Sequence, residues 1–350
     1  KSVNDLHGHA VGDAALRAIG SMLPRAFPPP ARIARPGGDE FLVLTPLAEG
    51  QSALEPVRPL LDGVPVTLPG DCERSLRVFC SIGVAMCRTG SCSLSQLANE
   101  ADQAMYVAKR RATGLQVYDN QLRLRTQRRT DLAAELRRDV AAGRIGAVFQ
   151  PIFDVQSGAV VEVETLARWR PQGGEAVPPS EFLRLAQDGG FISDLDRGIR
   201  RHALALIRDL RAVGLSQPVG VNVTALDLAR TDFVDQLSED LGAAGLCGRD
   251  LVLEVTEAIF DDRYGLARET LVRLASQGVA VHLDDFGKGF ASHGLLTDVP
   301  FEAVKVDMRF AGDPSETARA RAILSSLVTL GRHLGMGVTL EGIETLRDRA

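Results

Sequence analysis

The sequence predicts an α/β protein in two parts, a mixed α/β domain followed by a TIM-like (β/α) barrel. The second half alternates short, β-rich apolar runs with helical segments, the pattern of a parallel sheet with covering helices. Acidic or amide residues recur at the ends of successive candidate strands, where a barrel gathers its reactive groups. A doubly wound sheet would instead carry a glycine-rich phosphate signature in its first turn, and none is present. At 350 residues the chain is long enough for two domains, each with its own core.

Composition narrows the classes further. With 45% hydrophobic and 24% charged residues the chain reads as an ordinary globular protein. A formal net charge of -5 shows no basic surface for DNA or RNA, and it is compatible with a small acidic metal site. The five cysteines, Cys72, Cys80, Cys87, Cys92 and Cys247, contain no C-x-x-C pair and are odd in number. Reduced thiols are therefore expected, rather than a zinc site or a disulfide frame. There is no apolar run of membrane-spanning length and no signal peptide, so the expected location is the cytoplasm. Because the first residue is Lys1, a segment of a longer protein is expected, and attachment to the inner membrane could come only through missing N-terminal segments.

The elements follow in order. A polar, glycine-marked loop over residues 4–13 feeds a helix whose spacing is clear over 14–23. After Pro28-Pro29-Pro30, two short apolar runs flank Gly37-Gly38-Asp39-Glu40, which reads as a hairpin with carboxylates at its tip. A third strand is expected over 78–86 and a helix over 94–111. An ordinary acidic turn would explain Asp39 and Glu40 taken alone.

The complete set of motifs is more specific. Gly37-Gly38-Asp39-Glu40-Phe41, with Asn4-Asp5 and Gly8-His9 upstream and Ser81-Ile82-Gly83-Val84-Ala85, Asp102, Tyr106 and Ala108-Lys109 downstream, resembles the GGDEF (diguanylate cyclase) domain, a nucleotidyl-cyclase-like fold. The resemblance covers residues 1–118, and implies that the family's first strand precedes Lys1. It further implies that Asn4 and Asp13 recognise the guanine of GTP, that Asp39 ligates metal with Glu40 beside it, and that Lys109 meets phosphates. The family's product-inhibition Arg-x-x-Asp is replaced by Pro28-Pro29-Pro30-Ala31, so product feedback is not expected. GTP is a candidate ligand, and the domain's role can be regulatory, GTP-binding or catalytic.

Residues 119–142 lack glycine and proline and are rich in Arg, Leu, Ala and Gln, which favours a helical linker. Its Arg123, Arg125, Arg128 and Arg129 read as a solvated face, because no aromatic residues interleave them as stacking platforms.

In the remaining part, residues 143–350, candidate strands are 147–153, 160–166, 219–223, 251–255, 279–283, 303–306 and 337–340. Near their ends stand Glu164, Asn222, Glu254, Asp284 with Asp285, Lys305 with Asp307, and Glu341 with Glu344. Each acid alone would pass for surface decoration or a helix cap. Converged on one barrel face they would repel one another unless cations intervened. Hard oxygen donors without convergent histidines point to magnesium or manganese rather than zinc, and His282 reads as packing or as a group behind the ligands.

Phe149-Gln150-Pro151-Ile152, Glu164-Thr165-Leu166-Ala167-Arg168-Trp169, Val221-Asn222-Val223, Glu254-Val255-Thr256-Glu257, Asp284-Asp285-Phe286-Gly287, Lys305-Val306-Asp307 and Glu341-Gly342-Ile343-Glu344-Thr345 resemble the EAL-domain cyclic di-GMP phosphodiesterases. The resemblance implies linearisation of cyclic di-GMP to pGpG with two divalent ions, Mg2+ or Mn2+. Glu164, Asn222, Glu254 and Asp284 would hold the first ion, and Asp284, Asp285 and Glu341 the second or its waters. Lys305 would position the nucleophile or neutralise developing charge, Glu344 would support the catalytic cluster, and Glu257 would brace the loop after Asp285. Arg168, Gln150 and Leu166 would meet the substrate, and Glu341 stands open between metal ligand and general base. A homodimer is the expected assembly, and a final barrel strand is expected beyond Ala350. The name-giving Glu-Ala-Leu is Glu164-Thr165-Leu166 here, and Lys288 and Phe290 alter the loop after the Asp pair. No visible ligand position is lost, which favours a phosphodiesterase over a catalytically inactive cyclic di-GMP receptor. A bifunctional diguanylate cyclase/phosphodiesterase is the remaining alternative.

Overall fold

The computed structural model describes residues 3, 7–48, 51–68, 71–260, 265–286, 299–307 and 318–343. Packing divides the chain into two units, Lys1–Arg128 and Arg129–Ala350. Among the described residues no helix is long and apolar enough to cross a membrane.

In the first unit, helix α1 (His9–Ala26) precedes an antiparallel hairpin of β1 (Arg32–Gly37) and β2 (Glu40–Leu44), with Gly38 at φ 55 and Asp39 in the turn. Strands β3 (Val64–Leu68) and β4 (Asp71–Val78) form a second antiparallel pair. Strand β5 (Ile82–Val84) pairs in parallel with β6 (Leu115–Val117), and helix α2 (Leu94–Arg111) makes the crossover. The Ser93 hydroxyl caps α2 by accepting from the Gln96 N–H at 3.1 Å. A Cβ at Gly83 would lie 1.9 Å from the Ala101 carbonyl oxygen, so α2 can lie on β5 only because residue 83 has no side chain.

Two expectations need correcting here. The strand expected over 78–86 is confined to Ile82–Val84, because β4 ends at Val78, the chain changes partner from β3 to β6, and Phe79, at the break, is 70% exposed. Cys87 and Cys92 form a disulfide, with Cα atoms 6.5 Å apart, where thiols were expected. A tight turn through Gly90 (φ 79), closed by the Ser91 N–H donating to the Arg88 carbonyl, brings the two sulfurs together. Cys80 and Cys247 are free.

Helix α3 (Asn120–Ala141) starts in the first unit and ends in the second. The second unit contains a seven-stranded sheet in sequential order: β7 (Gly146–Phe153), β8 (Val160–Arg168), β9 (Val219–Asn222), β10 (Leu251–Thr256), β11 (Ala280–Asp284), β12 (Ala303–Asp307) and β13 (Gly337–Glu341). From β8 onward neighbours are parallel, the curled TIM-like arrangement. The β7/β8 pair departs from the expected parallel order and is antiparallel. Residues 154–159 are too few for a helical crossover, and Asp154 closes the turn by accepting from the Ser157 N–H at 2.8 Å.

Helices α4 (Pro179–Asp188), α5 (Ile192–Ala212), α6 (Ala225–Leu228), α7 (Phe233–Ala244), α8 (Gly265–Ser276) and α9 (Ala318–His333) are the unit's further α-helices among the described residues. The main core lies between sheet and helices, with Val219, Val221, Leu251, Leu253, Val281, Leu283 and Val306 facing Leu204, Leu237 and Leu271. A smaller core joins Leu136, Ile145, Trp169, Phe182 and Leu195.

Candidate active site at the C-terminal strand ends

Side chains along a strand alternate between faces. Glu162, Glu164, Leu166 and Arg168 therefore share one face of β8, as do Gly220 with Asn222, His282 with Asp284, and Lys305 with Asp307 on their own strands. The register sets Glu164 opposite Gly220, and Glu254 opposite both Asn222 and His282.

The convergence centres on Lys305. Its Nζ donates to Glu254 Oε2 at 2.9 Å and forms ion pairs with Glu164 Oε2 at 3.0 Å and Glu341 Oε1 at 2.8 Å, while the lysine itself is wholly buried. Asn222 Nδ2 bridges Glu164 Oε1 and Glu254 Oε2, at 3.3 Å each. At the end of β11 the chain turns through Asp285 in the left-handed region, φ 56, and the Asp285 N–H donates to Asp284 Oδ1 at 2.7 Å. A non-glycine residue held in that region is strained, a feature that concentrates at functional sites. The Phe286 N–H, donating to the Lys305 carbonyl at 3.1 Å, ties this turn to β12.

Burial and charge set the protonation tendencies. Desolvation works against the Lys305 ammonium, but Glu254, Glu164, Asp284 and Glu341 outweigh it and its pKa is raised. Burial raises Glu254 well above the ordinary range, against the pull of Lys305. It also raises Asp284 to about 6, with Glu341 and Asp285 adding repulsion. Beneath the cluster, burial raises Glu162 to about 7 and lowers His282 to about 4. His282 Nδ1 and Glu162 Oε2 lie 3.3 Å apart, outside hydrogen-bonding alignment, so a neutral imidazole packs beside the carboxyl group.

The other sequence candidates are less tightly held. Gln150 is exposed on β7 opposite Glu164, and Leu166 is half-buried opposite Val148. Arg168 is exposed at the end of β8 and donates to the Ala167 carbonyl at 2.8 Å. Glu257 opens the short 3-10 turn after β10. Glu344, Lys288, Phe290 and Asn4 lie outside the described residues. In the first unit Asp13, Asp39, Glu40 and Lys109 are all exposed. Asp39 is held below the ordinary carboxylate range chiefly by its own backbone N–H, against a smaller burial effect, and Lys109 contributes a weaker pull. Sequence reasoning missed Glu162, although its place two residues before Glu164 was a usable signal.

Among the described residues no three acidic or histidine side chains stand around one point as ready ligands, because the Lys305 ammonium takes the centre. The donors nevertheless fit a hard divalent cation. All are carboxylate or amide oxygens, one ammonium faces several carboxylates, and Glu254 Oε1 is buried without a hydrogen-bond partner among the described residues.

Two family models match the chain: the EAL domain over residues 133–349, and the diguanylate cyclase, GGDEF domain over residues 1–114. An uncharacterized signaling protein of Caulobacter vibrioides is 32% identical over 348 residues, which cover 99% of this chain and 42% of that protein. The cyclic di-GMP phosphodiesterase NbdA of Pseudomonas aeruginosa is 31% identical over 356 residues, 100% of this chain and 45% of that protein. The chain thus spans less than half the length of either relative. A solved structure, the PaMucR phosphodiesterase in complex with c-di-GMP, superimposes with a TM-score of 0.58 at 30% identity, covering 63% of this chain and 89% of that one.

Proposed function

The chain belongs to the EAL-domain family and carries a GGDEF domain ahead of the EAL domain, and from that premise we propose that it hydrolyses cyclic di-GMP to linear pGpG. The observation that carries this reading is the array of Glu164, Asn222, Glu254 and Glu341 drawn around Lys305 at adjoining strand ends. Glu164, Asn222, Glu254 and Asp284 would hold one magnesium or manganese ion, and Asp284, Asp285 and Glu341 a second or its waters. Such ions, when bound, supply a water of lowered pKa and polarise the phosphoryl oxygen.

The chain's own residues do the rest. Lys305 keeps the carboxylates in a fixed array and offsets their repulsion. Arg168, at the exposed rim, receives a substrate phosphate, to which a guanidinium fork is suited. Gln150 and Leu166 border the nucleotide, Glu257 and Glu344 support the loops around the array, and Glu341 serves as ligand or as proton acceptor for the attacking water. We assign residues 1–118 to a regulatory, GTP-binding domain that uses Asn4, Asp13, Asp39, Glu40 and Lys109, residues 119–142 to a helical linker, and residues 143–350 to the hydrolase. The protein acts in the cytoplasm as a homodimer.

The test is pGpG release from cyclic di-GMP with magnesium or manganese, with and without GTP, beside an Asp284→Asn variant. Metal-dependent release that the variant lacks is the expected result. Tight binding without turnover in either metal would replace the hydrolase with a receptor.

A further inference from the structure

A second buried polar junction lies in the same unit, on the far face of β8. Arg168 shares the face of Glu164, so Trp169, the next residue, points the other way, into the smaller core. It is the single tryptophan of the chain and is 1% exposed. Its ring meets Phe182 of α4 edge-on, with centroids 6.1 Å apart and planes at 73°.

A buried indole N–H needs an acceptor, and Asp139, in the last turn of α3, provides it: Trp169 Nε1 donates to Asp139 Oδ2 at 2.8 Å. The other oxygen, Oδ1, accepts from Arg144 Nη2 at 2.5 Å and Nε at 3.0 Å, so both oxygens of a carboxylate only 2% exposed are engaged. The main chain of Trp169 is also held, its carbonyl accepting from the Val177 N–H at 3.0 Å. Two further clips join α3 to the segment after β8. The Gln172 N–H donates to Glu135 Oε1 at 3.1 Å, and Arg129 pairs with Asp188 at the end of α4.

We propose that Asp139 and Trp169 are positioning residues that lock the end of β8, and with it Arg168, to helix α3, so that a shift of this helix changes the affinity for the substrate phosphate. The inference rests on the phosphodiesterase reading. Arg168 directly precedes the anchored residue, and among the described residues its guanidinium is held by the Ala167 carbonyl alone, so its position follows that of Trp169. Because α3 begins in the first unit, it is a covalent path by which that unit's state can reach this joint.

Asp139→Leu removes the acceptor at similar volume, Asp139→Asn keeps an amide oxygen that can accept, and Trp169→Phe keeps most of the ring packing without the N–H. In the intact protein, Asp139→Leu and Trp169→Phe should each raise KM for cyclic di-GMP about tenfold, the range seen when a supporting partner of a functional group is lost, with kcat within about twofold. Asp139→Asn should recover most of the loss. Trp169 emission should shift when cyclic di-GMP is added with EDTA to prevent turnover, and Asp139→Leu should abolish that shift. If Asp139→Leu fails to fold by circular dichroism, the Trp169→Phe kinetics and the wild-type emission decide. A wild type that cleaves cyclic di-GMP, with KM unchanged in the folded variants or with kcat falling alone, overturns the joint. A wild type that neither binds nor cleaves it overturns the phosphodiesterase reading, and the joint with it.

Discussion

Both units place adjacent acids beside a strand, Asp39-Glu40 in the hairpin of the first and Asp284-Asp285 at the end of β11 in the second, yet the surroundings differ. Asp39 and Glu40 are exposed, and Asp39 is stabilised as an anion mainly by its own backbone. Asp284 is half-buried and pushed up to about 6, beside a lysine with no exposure that already serves Glu164, Glu254 and Glu341. The same short acidic signal thus marks a solvated turn in one unit and an electrostatically frustrated cluster in the other. Burial, not motif, sets how strongly each acid is committed to a cation.

The sharpest way to break this contrast is to neutralise one acid on each side. Glu254→Gln should lower cyclic di-GMP hydrolysis about 10³-fold or more, because it removes charge at the buried centre where metal-assisted chemistry depends on it. Asp39→Asn should leave hydrolysis without GTP within about twofold, since an exposed turn in the other unit takes no part in that step, while it removes any response to GTP. Comparable losses in both variants, measured as pGpG release, would erase the distinction.

Lys305 tests the frustration itself. Lys305→Met should destabilise the protein by about 3 kcal/mol, because it strips the counter-charge from buried carboxylates. Magnesium should then raise Tm more in the variant than in the wild type, since ligand binding to the folded state adds stability in proportion to the free ligand over Kd. A variant as stable as wild type and indifferent to magnesium would show that the carboxylates do not need the ammonium.

How much of this was legible follows from the same physics. Short, β-rich apolar runs followed by acids located the residues that meet at the strand ends, because a strand end is a local property of the sequence. His282 was read as packing or as a group behind the ligands, but Glu162 escaped, although it stands two residues before a candidate ligand on the same face. So did Gly220, where a Cβ would come within 2.7 Å of both Glu162 Oε1 and Glu254 Oε1. The missed signal was periodicity one step down the strand. The antiparallel β7/β8 pair, the partner change after Val78 and the Asp139–Trp169 contact, across 30 positions, depend on tertiary pairing. Hydrophobic pattern alone does not encode such choices.

The Cys87–Cys92 bridge gives the first unit a covalent staple, and none occurs among the described residues of the second. Replacing both cysteines with serine should lower stability by about 2 kcal/mol on the loop-closure argument, as the bridge spans a sequence separation of only 5. The loss should appear in thermal unfolding of the whole protein and leave cyclic di-GMP hydrolysis untouched. A parallel loss of hydrolysis would mean that the two units are energetically joined.

The smallest expected effect compares two aspartates whose pKa values are both depressed. Asp139 is buried, which alone would raise its pKa, but hydrogen bonds from Trp169 and Arg144 outweigh burial and hold it below the ordinary value. A folded-state pKa below the unfolded one gives stability that is complete above the unfolded value, about 3.9 for Asp, and that fades as pH falls through the folded one. Asp139→Asn should therefore cost about 1.5 kcal/mol at pH 7, in the range of hydrogen bonds to charged groups. The gap between variant and wild type should close as pH drops from about 5 toward 3, where the wild-type carboxylate protonates. Asp39→Asn, at an exposed tip where solvent screens the charge, should show only a smaller gap that closes over the same range. Urea unfolding of the three proteins across that range is the measurement. A constant gap for Asp139→Asn would assign its cost to altered packing around Trp169 rather than to the charge on Asp139.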